Sequence, residues 1–158
     1  MEKVRNKLTS NSGESYIYLC VIVVFISMLL SVVILYMSLT VQVQMQKRDV
    51  KNKLDSYVSE YSTQVFDAIK QGENYADHIN WTDFEKQALV SLGFDHDAVT
   101  VYDYPNGTAM TRPVVTVLKG NGFGIAVYYQ AVLPVTWNGQ TYSQLVIPIT
   151  VSSYYKFK

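Results

Sequence analysis

Side chains capable of catalysis or metal binding are scarce in this chain. Of 158 residues, one is cysteine and two are histidine. The cysteine, Cys20, lies inside an apolar run, so the rest of the chain can form no disulfide of its own, and no cysteine cluster exists to hold a metal. A general base or metal ligand has only His78 and His96 to draw on, and a catalytic role would need one of them in a pocket. Asp95-His96-Asp97 is the one polar cluster of note. Alternate side chains there could bring two carboxylates to a divalent ion, but no full oxygen-ligand loop surrounds them, and a solvated loop leading into a strand is expected. Neither a phosphate-binding glycine loop nor a nucleophile elbow is present, because Gly120-Asn121-Gly122-Phe123-Gly124 sits between strand patterns and reads as a turn. The expectation is a non-enzymatic protein with no cofactor, no metal and no small-molecule substrate.

Two further absences are structural. No charged residue occurs from Ser15 to Gln46, and no glycine or proline occurs between Glu14 and Gln71. Setting the uncharged run aside leaves roughly 110 residues, about one small domain, which excludes a multidomain enzyme or a multi-pass transporter. Nucleic acid is not an expected partner, since Lys47 to Lys158 carries ten basic residues against eleven acidic ones.

The run from Tyr16 to Met37 is polar only at Ser27 and Ser31. As a helix it would rise roughly 33 Å, enough to cross a hydrocarbon core of about 30 Å. Tyr16, Tyr18 and Tyr36 fall near its ends, at the levels amphipathic rings favour in a bilayer. A cleavable secretory signal is the rival, but its apolar core is about 7–15 residues and ends at small residues, whereas Met37-Ser38-Leu39-Thr40 is a poor cleavage context. A single-pass anchor in the cell membrane is expected. Three Lys/Arg precede the run and four follow closely, yet the short leading tail and the large following domain favour a cytoplasmic N-terminus and an extracellular C-terminal domain.

Beyond the run the apolar positions narrow to one face. Val50, Leu54, Tyr57, Val58, Tyr61, Val65, Ala68 and Ile69 recur at spacings of three and four, the mark of an amphipathic helix, and Leu54, Val58, Tyr61, Val65 and Ile69 are its expected packing face. One helix from about Ser15 to Lys70 is the simplest reading. Its β-branched Leu39–Gln46 stretch is the place where it could break. Thr82-Asp83-Phe84-Glu85 fits a capping box for a second helix through Phe84, Ala88, Leu89 and Leu92, stopped by Gly93.

From Ala98 the period becomes two. Strand patterns at Val99–Tyr102, Val114–Leu118, Ile125–Val135 and Leu145–Val151 are separated by Pro105-Asn106-Gly107, Gly120-Asn121-Gly122 and Asn138-Gly139. The buried set should be Ile125, Val127, Tyr129, Ala131, Leu133 and Val135, facing Leu145, Ile147, Ile149 and Val151. Pro134 and Pro148 cannot donate to a ladder and belong at edges or bulges. The fold class is therefore α+β, a long N-terminal helix packed on a small antiparallel four-stranded meander. Its segments are a basic tail (1–14), a transmembrane helix (15–38), an amphipathic stalk (39–71), a short helix with loops (72–97) and a sheet domain (98–158).

The formal net charge of zero conceals opposed blocks. Residues 47–53 sum to +3, Leu54 to Met110 holds ten acids against Lys70 and Lys86, and Thr111 onward holds four bases and no acid. Such blocks neutralise one another within a fold or orient neighbouring copies. The 13 tyrosines suit half-buried sheets and interfaces alike. Asn80-Trp81-Thr82 and Asn106-Gly107-Thr108 match glycosylation acceptors, a pattern common by chance.

The order of parts, a short basic tail, Gly13-Glu14, an apolar span followed by an amphipathic stalk, and a small antiparallel sheet, resembles type IV pilin-like proteins. It is more closely similar to TadE-like minor pilins of tight-adherence systems and to pilin-like membrane proteins of Gram-positive conjugative elements, which the ending Tyr154-Tyr155-Lys156-Phe157-Lys158 also resembles in character. Such families are cut after a glycine and carry a glutamate five residues on. Gly13 matches that glycine, whereas the fifth residue after it is Tyr18 and the glutamate is Glu14. The resemblance implies a pilin-like subunit of a surface pilus or of a secretion or conjugation assembly. It further implies processing or assembly roles for Gly13 and Glu14, with the lipid bilayer and other subunits or further copies as partners. An anchored extracellular binding or adhesion module accounts for the tyrosine-rich sheet equally well.

Overall fold

A computed structural model describes residues 2–70, 79–95, 98–120, 122–137 and 139–156, without the side chains of residues 2–15, 64, 67–69 and 137. Helix α1 spans Glu2–Lys70 and is unbroken through Leu39–Gln46. It therefore begins within the segment expected to be a separate tail. By its contacts the chain divides into two units, Met1–Thr40 and Val41–Lys158.

In the first unit the apolar side chains from Tyr16 to Met37 are exposed almost throughout. The most apolar 18-residue window of the helix has a mean hydropathy of 3.0 with none of it buried. A core helix of a water-soluble domain with this composition would be covered by other elements, and this one is not. The few polar side chains are satisfied within the helix. Ser27 Oγ donates to the Val23 carbonyl at 2.8 Å, Ser31 Oγ to Ser27 at 2.9 Å and Thr40 Oγ1 to Tyr36 at 2.9 Å. Each removes a hydroxyl that would otherwise be unpaired in an apolar solvent. Length and composition thus suggest a single-pass membrane protein.

The second unit is helix on sheet. Gln46, Val50, Leu54, Val58, Ser62 and Val65 form a buried stripe down α1, one residue nearly every fourth position, which keeps them on one ridge of the helix. Val50, Leu54, Val58 and Val65 are apolar as expected, and Tyr57 and Tyr61 lie half-buried beside them. Gln46 and Ser62 were not expected in the stripe. A buried polar residue must find a partner, and Gln46 Nε2 donates to the Ala109 carbonyl at 3.2 Å while Ser62 Oγ donates to Ser59 at 2.6 Å.

Helix α2 is Trp81–Ser91. Its N-cap is Asn80, whose side-chain oxygen accepts from the Asp83 amide at 3.4 Å. The expected Thr82–Glu85 capping box is not used, because the helix begins earlier and Thr82 lies within its first turn. At the other end Phe94 N donates to Leu89 O and Gly93 N to Val90 O, both at 2.9 Å. This is the Schellman pair of bonds, and it turns the chain through Gly93 at φ +100°. Gly93 is doubly required, since a Cβ there would come within 2.6 Å of the Tyr102 ring.

The sheet has five antiparallel strands, β1 (Val101–Asp103), β2 (Ala109–Thr111), β3 (Val114–Gly120), β4 (Gly122–Trp137) and β5 (Gln140–Lys156). The expected count of four missed β2, whose three residues are too few to display alternation. β4 is the central strand. β5 pairs with it from Gly122 to Trp137, while β3 takes Gly122–Tyr128 and β2 takes Ala131 and Val132 on the opposite edge. Because β2 returns to β4 rather than to β3, the order departs from a simple meander. Gly120 of β3 pairs with Gly122 of β4, and Trp137 of β4 pairs with Gln140 of β5, while Asn121 and Asn138 of the expected turns lie outside the described residues. Pro134 lies on β4 beyond the reach of β2 and β3, and Pro148 lies on edge strand β5, where a missing donor is tolerated.

Phe123, Ile125, Val127, Tyr129, Ala131 and Leu133 of β4 are buried, with Ile149 and Val151 of β5, Met110 of β2, Phe84 and Ala88 of α2 and its C-cap Leu92. Leu145 does not join them. Its side chain is 41% exposed and Val146 beside it 50% exposed, because the first half of β5 is an edge that the cover does not reach.

Candidate interaction surfaces

Three features flank the packed half of α1, and each is set by helix spacing. The first is a polar latch to β5. Lys51 Nζ donates to Asp55 Oδ1 and to the Ser152 carbonyl, both at 2.7 Å, and Ser153 Oγ donates to the same carboxylate oxygen at 2.6 Å. Partial burial works to raise the Asp55 pKa, but the hydrogen bonds from Lys51 and Ser153 and the charge of Lys51 outweigh it and hold the carboxyl below its ordinary value.

The second is a cleft of about 570 Å³ lined by Gln44, Lys47, Arg48 and Lys51 of α1 and by Thr150, Val151 and Ser152 of β5. Positions 44, 47, 48 and 51 share one helix face, so three cations line one wall, and among the described residues no carboxylate does. Lys51 is engaged in the latch, whereas the exposed Lys47 and Arg48 form no ion pair among the described residues.

The third is a cavity of about 290 Å³ on the other flank, lined by Met45, Gln46, Asp49, Lys53, Tyr102, Tyr104, Asn106 and Thr108. Lys53 Nζ contacts Asp49 at 3.1 Å and lies 5.3 Å from the Tyr102 ring centre. Gln46 Oε1 and the Tyr129 hydroxyl are buried without a hydrogen-bond partner among the described residues, and the buried Tyr104 hydroxyl faces Asp49. Burial first, and then the charge of Asp49, pushes both phenols well above their ordinary pKa, so they are neutral donors at any physiological pH. Asn106 Oδ1 accepts from the Thr108 amide at 3.2 Å and from its hydroxyl at 2.7 Å, closing the β1–β2 turn.

Beside these lies an aromatic cluster joining α1, α2 and the sheet. Tyr61 stacks edge-on against Phe84 at 4.8 Å and Phe123 at 6.1 Å, and Tyr57 donates to the Phe84 carbonyl at 3.0 Å. Lys119 of β3 sits 4.4 Å over the Trp81 ring of α2. Tyr57 and Tyr61 are thus used in packing, whereas Tyr128, Tyr142 and Tyr154 of the sheet are exposed.

Of the residues singled out from sequence, Tyr16, Tyr18 and Tyr36 are exposed on the first unit of α1. Leu54, Val58 and Val65 are in the core and Tyr61 at its margin. Gly13 and Glu14 lie within α1, and the Glu14 side chain, like that of Ile69, lies outside the described residues. His78, His96 and Asp97 also lie outside them, while Asp95 is exposed. Among the described residues no three His, Cys, Asp or Glu gather as metal ligands. The latch and the two clefts went unseen because their halves lie far apart in sequence; only the basic block 47–53 signalled one of them.

Comparison with family models, with curated proteins and with solved structures gave no match to this chain.

Proposed function

We propose that this chain is a non-enzymatic, membrane-anchored, pilin-like subunit of a surface pilus or of a secretion or conjugation assembly, with a cytoplasmic N-terminus and its sheet domain outside the cell. The observation that carries the reading is the division of labour within α1. One stretch of the helix has the length and composition for lipid and is left uncovered, and a later stretch supplies the core of a sheet domain. A subunit that assembles through its domain needs a surface able to meet another copy, and β5 supports this. Among the described residues no second strand pairs with β5 besides β4, residues 140–155 carry no charge, and Tyr142, Leu145 and Val146 are exposed. Edges left without charged side chains are templates for pairing.

Crosslinking in intact cells tests the reading. The expected result is a ladder of multimers, or adducts with pilus or secretion components, and loss of the ladder in Val146→Lys, which places a charge on the edge without touching the core. A chain that stays monomeric and copurifies with no such component refutes the assembly role. A soluble ligand captured by the full chain in its monomeric state would instead favour an adhesion module.

A further inference from the structure

The cleft between the first turns of the packed half of α1 and the end of β5 adjoins the Lys51 latch, which leaves its Lys47 and Arg48 side chains unused. We infer that it is a binding site for the phosphate of an anionic phospholipid headgroup in the leaflet facing the domain. Three observations carry this. Lys47, Arg48 and Lys51 line one wall of a cavity of about 570 Å³, and among the described residues no acidic side chain lines it. The Lys51 ammonium is held by Asp55 and the Ser152 carbonyl, both at 2.7 Å, which leaves the Lys47 and Arg48 head groups, exposed and in no ion pair among the described residues, as the cations open to an anion. The opposite wall is the edge of β5 at Thr150, Val151 and Ser152, a stretch without charge.

The choice of a lipid over a dissolved anion follows from chain position. Lys47 is the first charge after 32 uncharged residues, Ser15 to Gln46, and basic residues that follow a membrane-length apolar run closely in the chain are those that anionic headgroups attract. Basic residues there are drawn to anionic lipid by about 1 kcal/mol each, which corresponds to about fivefold in affinity. Arg48 can meet a phosphate through two parallel N–H bonds, and a headgroup of net negative charge attracts it more than phosphatidylcholine, whose quaternary ammonium offsets the phosphate charge. The inference holds on whichever side of the membrane the domain lies and does not depend on assembly into a pilus.

The test uses the full chain, 15N-labelled, in neutral maltoside micelles, titrated with phosphatidylglycerol, with phosphatidylcholine and with inorganic phosphate. Phosphatidylglycerol should shift the amides of residues 47–51 and 150–152 saturably, and the other two should not. K47Q/R48Q should weaken that response about thirtyfold and R48Q alone about fivefold, whereas K86Q, a lysine on α2 remote from the cleft, should leave it unchanged. The unperturbed remainder of each spectrum reports that the variant is folded. Equal responses to phosphatidylcholine, an undiminished response in K47Q/R48Q, or saturation by inorganic phosphate at the same concentration would each overturn the lipid assignment, the last reducing the cleft to an adventitious anion site.

Discussion

Asp55 shows how much a single residue can connect in this domain. It lies on the solvent side of α1, yet accepts from Lys51 one turn earlier and from Ser153 nearly a hundred residues away. Its folded pKa lies below the ordinary value of 3.8, so the carboxylate stabilises the fold above that pH and the contribution disappears as pH falls through the lowered value. Asp55→Asn should therefore cost stability at pH 7, by no more than about 1 kcal/mol because the pair is partly exposed and screened. The gap between variant and parent should close below pH 3.8. Thermal unfolding in micelles at pH 7 and pH 3 measures both. Nothing in the sequence marks this bond, since a local i,i+4 pair of Lys51 and Asp55 is all that spacing reveals and the serines it joins sit in an uncharged strand. Gln46 and Ser62 are hidden for the opposite reason. They occupy core positions, but their polarity removes them from any apolar pattern, and only their partners explain why they are tolerated.

At the level of elements, legibility follows the length of the repeating signal. The stripe through Val50, Leu54, Val58 and Val65 and the alternation of β4 are long enough to read directly. β2, with three residues, is not, and its omission turned five strands into four. The start of α2 was misplaced because Asn80 and Thr82 are both competent caps and the choice depends on the backbone leading into the helix. Its end was readable because only glycine fits a φ of +100° against the Tyr102 ring. Gly93→Ala should accordingly destabilise the domain by about 1–3 kcal/mol through backbone strain and displace Tyr102. A lowered melting temperature with altered ring signals from Tyr102 and its neighbours Phe94 and Tyr104 is the expected outcome. Unchanged stability would mean that the turn is not tied to the packing of β1. The exposed half of β5 could not be foreseen from its pattern, because Leu145 and Ile147 alternate as faithfully as Ile149 and Val151. What distinguishes them is how far the cover extends.

For the molecule as a whole, the near-zero charge and moderate apolar content describe neither of its parts. An uncharged helical stretch with an uncovered surface and a small α+β domain with a buried helical stripe share one chain, and the membrane, assembly and lipid readings all depend on that division. Single-cysteine substitutions along α1 from Tyr16 to Thr63, in a chain with Cys20 replaced by serine and embedded in bilayers, test it most directly through labelling with a water-soluble maleimide. The account predicts no labelling across residues 16–37 on any face of the helix, followed by labelling from residue 47 onward that spares positions 50, 54, 58 and 62. Labelling of residues 16–37 from water, or labelling beyond residue 47 without a protected stripe, would contradict it.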